Sequence, residues 1–220
     1  MHIPDGAVSA QINVTTFLLS GAACAVAAAR AGRTLGDRQT PLLGMTAAFL
    51  FAAQMLNFPV AGGTSGHFMG AVLAALLLGP LNACLVMAVV LAIQALVFSD
   101  GGVTALGSNL FNMGLVGGFG GWLVFAGVRV ALPRARGVFL AAAGLGAWVS
   151  VVAAASACAV ELALSGTSPL AVVLPAMAGI HAVIGLGEAL ITVTVLATVL
   201  AVRPDLVAAW PARQETPAHG

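Results

Sequence analysis

An all-α membrane protein, built as a bundle of seven transmembrane helices, is the fold class this sequence predicts, and three observations predict it. Of its 220 residues, 60% are hydrophobic and 7% charged, against roughly 25% charged residues in a soluble domain. The apolar stretches are long and rich in Gly and Ala, on the scale of the roughly 20 residues that a spanning helix needs. No train of short alternating segments suggests a β-barrel.

The first segment runs from Ile12 to Ala31 and the second from Pro41 to Leu56. The third, Phe68 to Gly79, is too short to cross a full bilayer alone. It is expected to begin a few residues earlier or to sit among longer neighbours, and Pro80 marks the break after it. Leu81 to Phe98, Leu110 to Ala131, Val138 to Leu164 and Ala171 to Val202 complete the set. Arg30, Arg33 and Arg38 flank the first connection, Arg129, Arg134 and Arg136 the fifth, and Arg203 and Arg213 follow the last segment. With seven spans all these positions share one side, which the positive-inside rule makes cytoplasmic. The N-terminus is then outside and the C-terminus inside. One membrane domain over residues 1–220 is the simplest division: an extracytoplasmic N-terminal loop at 1–11, the bundle at 12–202 and a cytoplasmic tail at 203–220.

Composition also narrows function. The net charge of +1 implies no nucleic-acid partner. All eight basic residues are Arg, and a chain without Lys cannot hold a P-loop, so no ATP site is expected and ATP hydrolysis would fall to a partner. Cys24, Cys84 and Cys158 stand apart without a C-x-x-C pair and read as small buried hydrophobes. Ala25 with Ala29, and Ala153 with Ala157, have the four-residue spacing that lets helices pack closely.

The chain opens Met1-His2-Ile3-Pro4-Asp5-Gly6, with no basic residue before Arg30. The basic n-region of a secretory signal is missing, and His at position 2 is too large for routine removal of Met1. A free α-amine, with a pKa near 8, the His2 amide nitrogen and His2 Nδ1 then form a ready planar chelate. His67, at the end of a Gly-rich loop on the same face, supplies a fourth nitrogen. Square-planar nitrogen coordination suits Ni(II) and Cu(II) and is open to low-spin Co(II). Zn(II) prefers a tetrahedron. The alternative is an exposed N-terminal His of no consequence. Pro4-Asp5-Gly6 has the chemistry of a turn that folds the first residues back over the bundle. Asp5, read as the sole acidic residue near the site, either holds a ligand by a hydrogen bond or caps the turn. Asn57, Ser65 and Asn109 are further candidates to support the ligands.

His181 and Glu188 lie seven residues apart, on one face of the seventh helix, and ionisable groups within a bilayer are usually functional. They are candidates for intramembrane coupling or an ion path, or for a structural role in binding neighbouring helices. Glu161 is expected to reach the membrane interface. Two other functions are open: a secondary metal-ion permease using His181 and Glu188 as ion or proton path, and an intramembrane hydrolase pairing Ser65 or Ser108 with His67. The hydrolase lacks a base-plus-orienter set.

The opening hexapeptide, the run NFPVAGGTSGH ending at His67, the stretch from Leu78 to Gly114 (LGPLNACLVMAVVLAIQALVFSDGGVTALGSNLFNMG) and HAVIGLGEALIT from His181 to Thr192 together resemble the CbiM/NikM family. These are substrate-binding membrane subunits of energy-coupling-factor transporters for cobalt and nickel. The resemblance covers essentially the whole chain. It implies a seven-helix bundle with the N-terminal segment inserted into its centre from outside. It implies Co2+ or Ni2+ as transported substrate, bound by the Met1 amine, the His2 amide and imidazole nitrogens and the His67 imidazole. It also implies a transmembrane coupling subunit, cytoplasmic ATPase subunits and often a small accessory membrane subunit, here expected as a separate chain. The protein would itself be no enzyme. One departure is Ala7-Val8, where many relatives have an aromatic residue followed by Leu; it leaves the proposed ligands in place.

Overall fold

The computed structural model describes residues 2–34, 36, 39–56, 58–60, 64–133 and 135–210, with the backbone alone at 34, 58–60 and 64–66. Seven helices dominate it: α1 (Ala10–Thr34), α2 (Gln39–Gln54), α3 (Ala71–Leu78), α4 (Pro80–Val97), α5 (Leu106–Ala131), α6 (Arg136–Leu164) and α7 (Leu170–Val202). Five of them, all but α2 and α3, are long and apolar enough to cross a membrane. The 16 residues of α2 span about 24 Å and the eight of α3 about 12 Å, at 1.5 Å per residue. The loop before His67 holds a feature not foreseen in sequence, an antiparallel hairpin of β1 (Phe58–Val60) and β2 (Thr64–Gly66).

The short α3 is the centre of the bundle. Ala71 through Leu76, and Leu78, are buried, and α3 does not start earlier to gain length. A helix enclosed by protein has no bilayer thickness to match, and the extended backbone before it is tolerated for the same reason. Gly79 (φ 83°) alone separates α3 from α4, whose first residue, Pro80, fits the first helical position. Around α3, small residues bring backbones together. A Cβ on Gly121 of α5 would lie 2.7 Å from the Gly146 carbonyl of α6 and 2.5 Å from Val72. Within α5 the Phe111–Phe119 stretch widens into a π-helix, a distortion that often accompanies functional sites. By contrast α1 turns Val14, Phe17, Leu18 and Val26 outward, more than half exposed, as a lipid-facing helix does.

The hydrogen bonds sort the connections into two ends. At one end Ser9 N–H donates to Ser165 Oγ (2.9 Å), Thr104 Oγ1–H to Asp5, and Gly102 N–H to the Ile3 carbonyl (2.8 Å). At the other end, Ala208 and Ala209 N–H groups donate to the Leu77 and Leu76 carbonyls, and Arg136 bonds the Ala197 carbonyl. A cavity of about 570 Å³ there touches Gln39, Leu77, Asn82, Arg203 and Asp205. This pairing of loops is the one that seven passes of the chain require. The stretch read as the start of a cytoplasmic tail is therefore docked: Val207 is buried and Trp210 packs edge-on against Phe139 at 4.9 Å.

Candidate metal centre

The N-terminal segment is not free. Pro4-Asp5-Gly6 makes the turn its residue types suggest, with Gly6 at φ 80° and Ala7 N–H donating to the Pro4 carbonyl (3.4 Å). Asp5 Oδ1 accepts from the Thr104 hydroxyl (2.6 Å) and the Thr104 N–H (2.8 Å). These bonds hold its carboxyl below the usual carboxylate range. Ile3 is gripped at both polar atoms: its N–H donates to Asn109 Oδ1 (2.7 Å), and Asn109 Nδ2–H donates to its carbonyl (3.1 Å). The Ile3 side chain, 2% exposed, packs with Val8, Ala105 and Cys158. Close approach of the 100–102 loop needs glycine, because a Cβ on Gly102 would meet Asp5 N at 2.4 Å and Pro4 C at 2.7 Å.

This docking carries the His2 ring into the protein, where its side chain is 6% exposed. Its Nδ1 lies 2.9 Å from Asp100 Oδ1, and its Nε2 is buried with no partner among the described residues. The His67 ring stacks on it, with centroids 4.9 Å apart and planes 19° from parallel. His67 Nδ1–H donates to the Phe68 carbonyl (3.0 Å), which leaves Nε2 with the lone pair. That Nε2 is also buried without a partner among the described residues. Burial drives the His67 pKa down to about 3, so the ring is neutral at neutral pH. Two stacked imidazoles, each with an unpaired buried nitrogen, are an arrangement in want of a Lewis acid or a proton donor. Opposite them, the His2 bond holds the Asp100 carboxyl below its ordinary range. The described residues contain no cluster of three His, Cys, Asp or Glu side chains set to hold a metal.

The sequence candidates divide accordingly. His2, His67, Asp5 and Asn109 come together around the N-terminal segment. Met1 and Asn57 lie outside the described residues, and Ser65 is described only as the β2 residue paired with Pro59. His181 and Glu188 are both buried on α7, yet each bonds elsewhere: His181 Nδ1–H donates to the Met177 carbonyl (2.8 Å), while Glu188 accepts from the Met69 and Gly70 N–H groups (2.7 Å each).

Two expectations are corrected. Asp5 is not the sole acidic residue at the site, because Asp100 touches His2 directly. Glu161 does not reach the interface; it is 6% exposed and accepts from Asn112 Nδ2–H (2.9 Å). Asp100 lies in the polar run Ser99-Asp100-Gly101-Gly102, but its contact spans 98 residues of chain and has no local signature. Gln54 and Gln94 were missed altogether. They are fully buried amides in apolar helices, joined at 3.0 Å, with Gln54 donating to the Met69 carbonyl (2.7 Å). Their polarity within long apolar runs was the available signal.

The chain is similar to known proteins in sequence and in structure. A family described as the cobalt uptake substrate-specific transmembrane region matches residues 2–206. The chain is 43% identical over 209 residues to a putative fused nickel transport protein, NikMN, of Archaeoglobus fulgidus, covering 94% of this chain and 68% of that one. It is 41% identical over 209 residues to a putative metal transport protein of Haloquadratum walsbyi, covering 94% and 93%. Its structure is similar to the crystal structure of a truncated transition metal transporter, with a TM-score of 0.82 and 34% identity over 91% of this chain and 99% of that one.

Proposed function

The chain belongs to the cobalt uptake substrate-specific transmembrane region family, CbiM, and on that premise we propose that it is the membrane subunit that captures Co2+ or Ni2+ from outside the cell for an ATP-driven energy-coupling-factor importer. The observation that carries the reading is the buried His2–His67 stack, in which His67 Nε2 has no partner among the described residues. The donor set we assign is the Met1 amine, the His2 amide nitrogen, His2 Nδ1 and His67 Nε2, four nitrogens in a square plane. His67 meets its part of the assignment: neutral, with Nδ1 committed to Phe68 and Nε2 free. His2 meets it after one exchange, in which Nδ1 leaves Asp100 for the ion. Asp100 then remains beside a 2+ ion as a compensating carboxylate. Asn109, Asp5 and the 100–104 loop hold the segment so that little order has to be created on binding.

The chain performs no chemical step in this reading. A transmembrane coupling subunit, cytoplasmic ATPase subunits and a small accessory membrane subunit supply the energy and the movement. The N-terminus faces outward and the C-terminus inward, with Arg33, Arg129, Arg136 and Arg203 at the cytoplasmic end. A secondary permease with a path along His181 and Glu188 finds less support, since both Glu188 oxygens are already engaged by backbone amides.

Equilibrium titration of the purified chain, with its native N-terminus, against Ni(II) and Co(II) tests the proposal. One ion per chain is expected to bind, with loss of high-affinity binding in both His2→Ala and His67→Ala. Unchanged affinity in either variant would remove that residue from the donor set. Metal uptake in cells lacking the ATPase subunits would favour the permease.

A further inference from the structure

The residues that follow His67 are braced from two other helices. Met69 N–H donates to Glu188 Oε2 and Gly70 N–H to Glu188 Oε1, at 2.7 Å each, across about half the chain in sequence. The Met69 carbonyl accepts from Gln54 Nε2–H at 2.7 Å, and Gln54 Oε1 accepts from Gln94 Nε2–H at 3.0 Å. Every polar backbone atom of Met69 is thus held by a side chain, one from α7 and one from α2, with α4 behind it. Glu188 is 2% exposed and Gln54 fully buried. A carboxylate bonded to two consecutive amides is a strong, directional restraint, and one buried this deeply is costly unless it is so paired.

We propose that Glu188 and Gln54 are positioning residues for His67: they fix the backbone two and three residues beyond the imidazole and so set where His67 Nε2 stands relative to His2. This rests on His67 being a ligand, as proposed above. The role differs from general support of the fold. The clamp grips the short irregular stretch between β2 and α3, whose last residue, Gly70 (φ 72°), caps α3. His67 itself adds one local restraint, its bond to the Phe68 carbonyl. A planar four-nitrogen site tolerates little displacement of any donor, so the brace is needed most where it is found. It also joins the site to α2 and α7, so movement of either helix relative to α3 shifts His67.

The test uses Ni(II) alone, titrated into the full purified chain, with affinity, the visible absorption of the planar complex and the melting temperature of the metal-free protein read together. Wild type and His67→Ala set the frame. Equal binding by these two overturns the ligand reading itself, whatever Glu188 does. Glu188→Gln leaves one acceptor oxygen for two N–H groups and turns an NH2 toward the second. It is expected to weaken binding at least tenfold, to alter the absorption band and to speed amide exchange at Met69 and Gly70. Gln54→Leu is expected to weaken binding several-fold, and the double variant to lose less than the product of the two, since both grip one residue. Thr192→Ala, at a fully buried hydroxyl on the same helix as Glu188, is expected to leave affinity unchanged. Unchanged affinity and absorption in Glu188→Gln overturns the clamp. So does an affinity loss in Thr192→Ala as large as that of Glu188→Gln at equal loss of melting temperature. Should Glu188→Gln not fold, Gln54→Leu decides alone: wild-type affinity there overturns the clamp.

Discussion

Replacing Asn109 with Ala removes the side chain that holds both polar backbone atoms of Ile3. The two bonds it deletes are unequal. The Ile3 carbonyl keeps a second partner, Gly102 N–H at 2.8 Å, so that loss is an ordinary hydrogen bond, about 0.5–1.5 kcal/mol. The Ile3 N–H has no other partner among the described residues and is left buried without one, which costs about 1–3 kcal/mol. Together they weaken docking of the N-terminal segment by about 1.5–4.5 kcal/mol, roughly 10- to 2000-fold in the docking equilibrium. Apparent metal affinity scales with the fraction of chains whose segment is docked. A competition titration of Ni(II) against a chromophoric chelator reads this directly, and at least a tenfold weakening is expected. Asn109→Asp keeps an acceptor for the Ile3 N–H while losing the donor, and is expected to fall between wild type and Ala. If Asn109→Ala binds Ni(II) as tightly as wild type, docking of the segment through Ile3 is irrelevant to binding and the architecture of the site described above is wrong.

Other outcomes follow from the same geometry. Gly102→Ala places a Cβ 2.4 Å from Asp5 N, so the N-terminal segment has to lift; metal affinity is expected to drop at least tenfold with little change in the melting temperature of the metal-free protein. Gly121→Val forces α5 away from Val72 and Gly146, and an overpacking penalty of about 1–3 kcal/mol is expected as a lower melting temperature in detergent. The metal-free protein is expected to lose stability on acidification. His67 is held neutral down to about pH 3 while the unfolded chain protonates it below about 6.5. The unfolded state therefore binds more protons between those values, and stability falls by up to about 1.4 kcal/mol per pH unit as pH drops through that window. Thermal melts against pH, in the presence of chelator, are expected to show a shallower slope for His67→Phe.

The helices were legible because composition and charge speak directly to a bilayer. Five of the seven stretches have the length and apolar character for spanning, and the two ends collect the loops that a seven-pass count requires. What the periodicity could not convey was that α3 need not cross alone, because its enclosure by other helices is a tertiary fact. The hairpin before His67 was hidden by its Gly-rich composition, which reads as loop. At the site, the turn at Pro4-Asp5-Gly6 and the grouping of His2 with His67 could be read locally, from turn chemistry and from the side of the membrane. The partners that position them could not. Asp100, Asn109, Gln54 and Glu188 act across long stretches of chain, and nothing in the spacing of a Gln or an Asp names the backbone it will hold. Glu188 shows the limit well: its place in a span marked it as consequential, but nothing local named the Met69 and Gly70 amides it accepts from.

The central claim is that the chain's own amino terminus is a ligand. Adding one Ala before Met1 keeps every side chain and moves the α-amine by one residue. Titration of the native and extended proteins with Ni(II), under one condition, is expected to show one tightly bound ion for the native chain and none of comparable affinity for the extended one. Equal affinity and an equal absorption spectrum for the two proteins would contradict it.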